Sequence, residues 1–358
     1  MGGGDGRREA APDGSSSSAS CGALSSPTEV SYARTLSAQP PGGNKIRLSS
    51  LPQSPLTAVS SLWKQSASNQ ASPLLHAEDL SCKILRLYPF AHCDGLVLTP
   101  TETKVYLINH RNRNNLRDAA RSCHCAGLGL DPSTGKYKVV QPFYRYTTNT
   151  VRGTYEEMGI EVFTVNGGVW REIDEDLPYP ISKRQTGVTV NGCLFWRVDK
   201  AYCHSSLMHL PVLVRFNLAD ESFGAIMLPD SLDVDKSFSL DMLHGELWLS
   251  SRTSDEAVSI WSTSVDDGSL GVLDEGRWER RYSIPLACVC HPIALLPGGQ
   301  LILWYHNVLY EYDLETAQLT TVCEMDRIKY KGRRARTWKN LWSFNVLPYT
   351  ESLLRITA

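Results

Sequence analysis

Residues 127–140 read GLGLDPSTGKYKVV, two short apolar runs on either side of a turn signal. Asp131-Pro132 opens the turn, because aspartate can bond the backbone ahead of it and proline presets φ for the second turn position. Gly135 supplies the positive φ that closes a four- or five-residue hairpin. Tyr137, Val139 and Val140 carry aromatic and β-branched side chains that suit a pleated surface. The stretch is a β-hairpin with no chemistry of its own, so its meaning depends on whether it recurs.

It does recur. A strand announced by glycine appears as HCDGLVLT (92–99), VNGCLFWRV (190–198), LHGELWLS (243–250) and PGGQLILWY (297–305). Gly192, Gly245 and Gly299 lie 53 and 54 residues apart. Each such strand is followed by a strand–turn–strand element, for example LVRFNLADESFGAIMLP or VLYEYDLETAQLTTV. A period near fifty residues with about four strands per unit is the pattern of a kelch-like β-propeller blade. Five units follow, near 92–118, 126–175, 186–229, 238–285 and 290–323. The tail SFNVLPYTESLLRI (343–356) holds one more strand pair, expected to return to the first blade and close the ring. A sixth blade built from both chain ends is the alternative. The fold class is therefore all-β, a propeller of five to six blades. RNNLRDAARS (113–122) is the main stretch with helical periodicity.

Composition sets the surroundings. Charges nearly cancel, with 36 Lys+Arg against 38 Asp+Glu, so no global polyanion-binding surface is implied and no nucleic-acid partner is expected. No apolar stretch is long enough for a signal peptide or membrane span. Ten cysteines are too sparse for a disulfide scaffold and include no CxxC. A reducing compartment, cytoplasmic or nuclear, is expected, with no membrane partner. Gly2 is present, but position 6 lacks the Ser or Thr of a myristoylation signal. Residues 1–44 are rich in Gly, Ser, Ala and Pro and are expected to form a disordered arm. A helical linker is expected over 45–79, and the propeller over 80–358.

Few residues invite chemistry. Cys123-His124-Cys125 and Cys288-Val289-Cys290-His291 contain soft ligands. Neighbours in a strand point to opposite faces, so at most two from each group could meet one metal. Small buried core cysteines are the favoured reading, and no metal or cofactor is assigned. Ser264-Val265-Asp266-Asp267-Gly268 matches the start of an Asp box but lacks the later aromatic, and is read as a turn. No pair of catalytic carboxylates, nucleophile elbow or phosphate-cradling loop stands out. The run RIKYKGRRARTWKN (327–340) is the strongest charge feature. Lys331, Arg333, Arg334 and Arg336 in it are candidates for a nuclear-import or anion-binding patch, with a solvated inter-blade loop as the plainer reading. Trp196, Trp248 and Trp304 follow the glycine-led strands at similar offsets, which argues for blade packing.

The ordered series CDGLVLTPTETKVYLINHRNR, GLGLDPSTGKYKVVQPFYR, MGIEVFTVNGGVWREI, VNGCLFWRVDK, VRFNLADESFGAIMLP and LPYTESLL resembles the plant, grass-type F-box-associated β-propeller domain. It spans residues 92–354. The family pattern Asn-Pro-x-Thr-Arg is replaced here by Asn109-His110-Arg111-Asn112-Arg113. The resemblance implies non-catalytic substrate recognition for a cullin-type ubiquitin ligase: the propeller holds a protein substrate, and a helical F-box docks on a Skp-type adaptor. KIRLSSLPQSPLTAVSSLWKQ (45–65) is similar to the second half of an F-box, which would make Leu51, Pro52, Leu56, Val59 and Trp63 the candidate adaptor contacts. A chance match in a linker is the other reading. Two alternatives stay open: a propeller that holds substrate without recruiting the ligase, and a propeller enzyme of galactose-oxidase or sialidase type.

Overall fold

The computed structural model describes residues 90–324 apart from several connecting loops, residues 354 and 356, and short strands at 33–36, 47–48, 59–64, 71–76, 329–330, 333–334 and 345–348. Every regular element among the described residues is a β-strand. The N-terminal strands are β1 (Ala33–Leu36), β2 (Arg47–Leu48), β3 (Val59–Lys64) and β4 (Ala71–His76), with β2, β3 and β4 forming one antiparallel sheet.

Five blades follow in chain order. Blade 1 holds β5 (Ala91–Cys93), β6 (Leu96–Pro100), β7 (Lys104–Ile108) and β8 (Arg113–Asp118). Blade 2 holds β9 (Gly127–Asp131), β10 (Lys136–Thr150), β11 (Gly153–Thr164) and β12 (Arg171–Ile173). Blade 3 holds β13 (Val188–Val190), β14 (Cys193–Arg197), β15 (Val212–Asn217) and β16 (Phe223–Met227). Blade 4 begins with β17 (Phe238–Leu243), β18 (Glu246–Arg252) and β19 (Val258–Ser264). The chain then crosses to pair β20 (Leu273–Asp274) in parallel with β16, and returns to complete blade 4 with β21 (Glu279–Ile284). Blade 5 holds β22 (His291–Leu296), β23 (Gln300–Tyr305), β24 (Val308–Asp313) and β25 (Leu319–Glu324). Last come β26 (Lys329–Tyr330), β27 (Arg333–Arg334) and β28 (Asn345–Pro348). The five sheets fall within a few residues of the units expected from the glycine spacing.

The blades stack face to face, and their strands read as continuous apolar runs because both faces are covered. In β14, Leu194 and Trp196 pack on blade 2 residues such as Val140 and Ile160. Cys193 and Phe195, the alternate pair, pack on blade 4 residues such as Leu247 and Leu249. Indoles link neighbouring blades by hydrogen bonds as well. Trp170 of blade 2 donates its Nε1–H to Leu116 O of blade 1 at 3.2 Å, and Trp196 of blade 3 donates to Cys125 O at 2.8 Å. Trp278 of blade 4 donates to Met227 O of blade 3 at 2.6 Å. Each ring buries apolar area while its one polar atom stays satisfied.

Ring closure uses both chain ends. β28 pairs in parallel with β1 and lies beside β22, while Ile356 enters the core shared by blades 1 and 2. Asn109 Nδ2 donates to Leu354 O at 2.5 Å, tying the tail to blade 1. The expected return to blade 1 and the expected use of both ends therefore each describe part of the closure.

Two expectations are corrected. The helix expected over 45–79 is replaced by β3 and β4. Pro52, Pro55 and Pro73 interrupt helical hydrogen bonding there, and Val59, Leu62 and Trp63 belong to the types that favour strands or tolerate them. Of the arm expected over 1–44, only β1 lies within the described residues, and the rest lies outside them. The helical periodicity at 113–122 gives way to β8, because Leu116 is needed in the blade 1 core and tertiary packing overrides weak propensity.

At one end of the ring the inner hairpins close within two to four residues. Asp94-Gly95, Asn191-Gly192 and His244-Gly245 all have positive φ at both positions, the geometry of a primed two-residue turn. This explains the recurring glycine. These turns interlock around the ring. Tyr137 Oη donates to Asp94 Oδ2 at 3.1 Å, and Asn191 Nδ2 donates to Gly245 O at 3.2 Å and Val265 O at 3.1 Å. The 127–140 hairpin anchors a charge cluster in the same layer. Lys138 Nζ lies 2.8 Å from Asp131 Oδ2 and 2.9 Å from Glu221 Oε1, and donates to Leu218 O at 2.5 Å. Arg171 also pairs with Glu221. Burial pushes the Asp131 carboxyl up, but hydrogen bonds from Lys138, Ser133 and Thr134 outweigh it and hold the group well below the usual carboxylate range.

Candidate functional site

The opposite end of the ring is built differently. Inner strands β5, β13, β17 and β22 begin there, and their first residues line one cavity of about 410 Å³ together with Val346 of β28. We call this end the connector face, because the longer links 174–187, 198–211 and 228–237 emerge there. β10 and β11 also reach it and continue past it. Beyond Val140, the last residue of β10 paired with β9, the strand runs ten more residues, roughly 33 Å at ~3.3 Å each. The result is a two-stranded ribbon with a register shift between Tyr144 and Tyr146.

The cavity wall is mixed. Asp241, from β17, faces His291, the first residue of β22, with His291 Nδ1 3.0 Å from Asp241 Oδ1. The imidazole stacks on Trp304 with ring centroids 4.9 Å apart and planes 28° apart. Burial lowers the basicity of His291, but the Asp241 carboxylate more than offsets it, and the net shift is upward. His92 of β5 has no such neighbour at hydrogen-bond distance, and burial drives its pKa down to about 4 against weaker pulls from Asp94 and Asp241. The ring therefore carries one imidazole held neutral and one that favours its proton, both under the influence of Asp241.

Arg197, the last residue of β14, completes the wall. Its Nη1 donates to Phe238 O at 2.8 Å, and its guanidinium carbon sits 3.9 Å from the Phe238 ring centroid. It forms no ion pair among the described residues. Burial lowers its pKa to about 10, with Asp199 opposing that shift from a distance. Thr186 donates to Phe90 O at 3.2 Å, and Ser239 to Cys290 O at 2.9 Å, so these two wall hydroxyls are already used in joining strands.

The structure does not assemble the sequence candidates into this site. Val59 and Trp63 lie on β3, while Leu51, Pro52 and Leu56 are outside the described residues. Arg333 and Arg334 form β27, paired with β26, whereas Lys331 and Arg336 are outside the described residues. Cys123 and His124 are too. Cys125 and Cys290 are buried free thiols, the latter pushed up to about 12 by burial. No group of three or more His, Cys, Asp or Glu is placed to hold a metal among the described residues.

Sequence reading missed Arg197, Asp241 and His92, and saw His291 only as a metal-ligand candidate. A usable signal existed: His92, Thr189, Ser239 and His291 stand first or second in β5, β13, β17 and β22, where a packed core would demand apolar residues. Trp196, Trp248 and Trp304 were grouped, but they stand four, three and five residues after the turn glycines Gly192, Gly245 and Gly299. A one-residue change in offset moves a strand side chain to the other face. Trp196 thus packs toward the preceding blade and Trp248 toward the following one, while Trp304 reaches the cavity.

Comparison with known proteins agrees with this architecture. Residues 49–268 match the sequence model of the F-box associated beta propeller domain. That is well over half of the chain, and the protein belongs to this family. The match begins at residue 49, inside the segment read as an F-box remnant. No curated protein matches the chain. Among solved structures, a six-bladed fungal lectin from Aleuria aurantia has a TM-score of 0.46 at 7% identity, covering 85% of this chain and 97% of that one. The β-propeller domain of Cps50 (Swd1) from Myceliophteria thermophila has a TM-score of 0.42 at 9% identity, covering 83% and 87%. A post-proline cleaving enzyme from Rickettsia typhi has a TM-score of 0.38 at 10% identity, covering 83% of this chain and 45% of that one. Likenesses this distant say nothing about function. No helix among the described residues is long and apolar enough to cross a membrane.

Proposed function

We propose that this chain is the substrate-recognition part of an F-box-type receptor for a cullin ubiquitin ligase, acting without catalysis in the cytoplasm or nucleus. The observation that carries the reading is membership of the F-box associated propeller family. The two-ended build of the ring supports it. A rigid scaffold holds variable connectors at one face, the usual arrangement for recognition. The ribbon of β10 and β11 extends that face outward and gives a protein substrate an edge to meet.

A second reading has its own support: the propeller binds substrate without recruiting the ligase and so competes with complete receptors. Strand β3 occupies Val59–Lys64, where a helical adaptor-binding bundle would need helix. One experiment separates the two. The purified chain, and a chimaera with a complete F-box placed ahead of it, are mixed with a Skp-type adaptor and resolved by size exclusion. Ubiquitin transfer to proteins retained by the propeller is then measured. Co-elution and transfer with the chain alone establish the receptor reading. Co-elution and transfer with the chimaera only establish the competitor. A chimaera that engages adaptor and ligase yet modifies no retained protein overturns both.

A further inference from the structure

The axial cavity holds a feature that protein recognition at a rim does not require. Arg197 is a half-buried cation in the wall, with one donor spent on Phe238 O, no ion pair among the described residues, and Asp199 acting on it by charge alone. A guanidinium offers five donors in a planar fork that matches a carboxylate. Removing such a charge from water is costly unless it is paired, so a site that keeps it there favours an anion. The other polar pair in the wall, Asp241 with His291, is bonded to itself, so Arg197 is the group of the wall with charged donors left to offer.

The rest of the wall sets the shape of the partner. The Arg197 guanidinium sits over the Phe238 ring, which holds it in place, and the stacked pair of His291 and Trp304 forms a planar surface of the same cavity. Planar rings favour a flat ligand body by offset stacking and edge contacts. A volume of about 410 Å³ lies within the range of small-molecule sites, roughly 300–1,000 Å³.

We propose that the axial cavity is a binding site for a small organic carboxylate with a flat apolar body, its carboxylate held by Arg197 and its body against the His291–Trp304 surface. The site stands independently of whether the chain engages a ligase adaptor. The same chemistry could arrive as the free C-terminus of a bound protein ending in an aromatic residue, and the experiment includes that source.

The test uses the full chain and isothermal titration calorimetry with three probes: 2-naphthoate, its neutral isostere 2-naphthamide, and a tetrapeptide ending in phenylalanine with a free or amidated C-terminus. The expected result is saturable binding of 2-naphthoate at least tenfold tighter than of 2-naphthamide. Arg197→Gln should abolish that difference, and Arg197→Lys should restore part of it. No binding of 2-naphthoate at millimolar concentration overturns the proposal, as does equal affinity for the amide. The wild-type comparison of acid and amide decides the matter even where Arg197→Gln does not fold. If the free-C-terminus peptide binds tighter than 2-naphthoate and amidation removes the advantage, the assignment to a free small molecule is overturned in favour of a protein terminus.

Discussion

The two ends of the ring are made from the same strands but by opposite rules. At the turn face the inner hairpins close in two to four residues, and side chains of one blade bond the turn of the next. At the connector face the links are long, the ribbon of β10 and β11 projects, and polar groups surround a cavity. The contrast teaches where the molecule concentrates its stability. A ring of sheets must be locked somewhere if the opposite rim is to hold long loops and a cavity of mixed lining. Tight turns are suited to locking because they order few residues and satisfy their own backbone.

The comparison is broken most severely by removing the charge at the centre of the lock. Lys138→Met leaves Asp131, whose side chain is 0% exposed, without its cation, and leaves Glu221 with Arg171 alone. Breaking a buried pair from one side costs about 3–5 kcal/mol. Urea denaturation should show that loss at neutral pH. Acid should narrow the gap. The folded-state pKa of Asp131 lies below its ordinary 3.8, so its contribution is present above that value and is lost as pH falls through the folded pKa. A wild-type-like denaturation midpoint for Lys138→Met at pH 7 would show that the cluster is incidental.

A smaller effect comes from the backbone of the same layer. Gly192 has φ +74°, and a Cβ there would lie 2.8 Å from Pro132 Cδ in the neighbouring blade. Left-handed backbone at a non-glycine residue costs about 1–3 kcal/mol, and the crowding adds to it. Gly192→Ala should therefore lower the thermal midpoint more than Gly245→Ala, because Gly245, at φ +78°, meets only Asn191 Oδ1 at 3.7 Å. Equal shifts would mean that φ alone governs both turns and that the blades do not interlock there.

The turn face was legible in the sequence and the connector face was not, for a physical reason. Turns are local: Gly192, Gly245 and Gly299 announce themselves by spacing, and Asp131 bonds Ser133 and Thr134 a few residues on. Five repeated hairpins then suffice to order the blades. The cavity is a product of ring closure. Asp241 and His291 are 50 residues apart, and each sits where a repeat merely shows a polar residue. Arg197 and Phe238 are separated by 41 residues and meet only because blades 3 and 4 stack. The closure itself needs β1 and β28 from opposite ends of the chain, so no local pattern announces it. The helical expectation at 113–122 failed because weak local periodicity was overridden by the strand pairing of β8 at 113–118.

On the connector face, shortening the ribbon should do much less to stability. Replacing Thr147–Glu156 by Asn-Gly joins the paired residues Tyr146 and Glu157 through a two-residue turn. The described residues of the blade 2 core clusters, Val139, Val140 and Met158 among them, lie outside the excised segment. Unfolding free energy should stay within about 0.5 kcal/mol of wild type, the usual range for surface changes. A cooperative melt that drops as far as it does for Lys138→Met would place structural weight on the ribbon and dissolve the contrast between the faces.

The finest distinction lies inside the cavity. Asp241 raises the pKa of His291 and also pulls upward on His92, which burial holds near 4. A histidine whose folded pKa exceeds the ordinary 6.5 contributes stability that is fully present below 6.5 and is lost as pH rises through its folded value. A histidine held neutral to about 4 does the reverse: it destabilises the fold as pH falls below 6.5, where the unfolded chain takes up the proton more readily. Asp241→Asn removes the support for His291 and lets His92 sink further, so both changes weaken the variant on the acid side. The stability difference between wild type and Asp241→Asn should be fully present below 6.5, grow further as pH falls through about 4, and shrink to nothing above the raised pKa of His291. Histidine Cε1–H chemical shifts followed by NMR give the two titrations separately, and chemical denaturation gives their sum. A gap that widens toward alkaline pH would mean that Asp241 serves the backbone of β17 and not the imidazoles, and the cavity would then lose its internally matched pair.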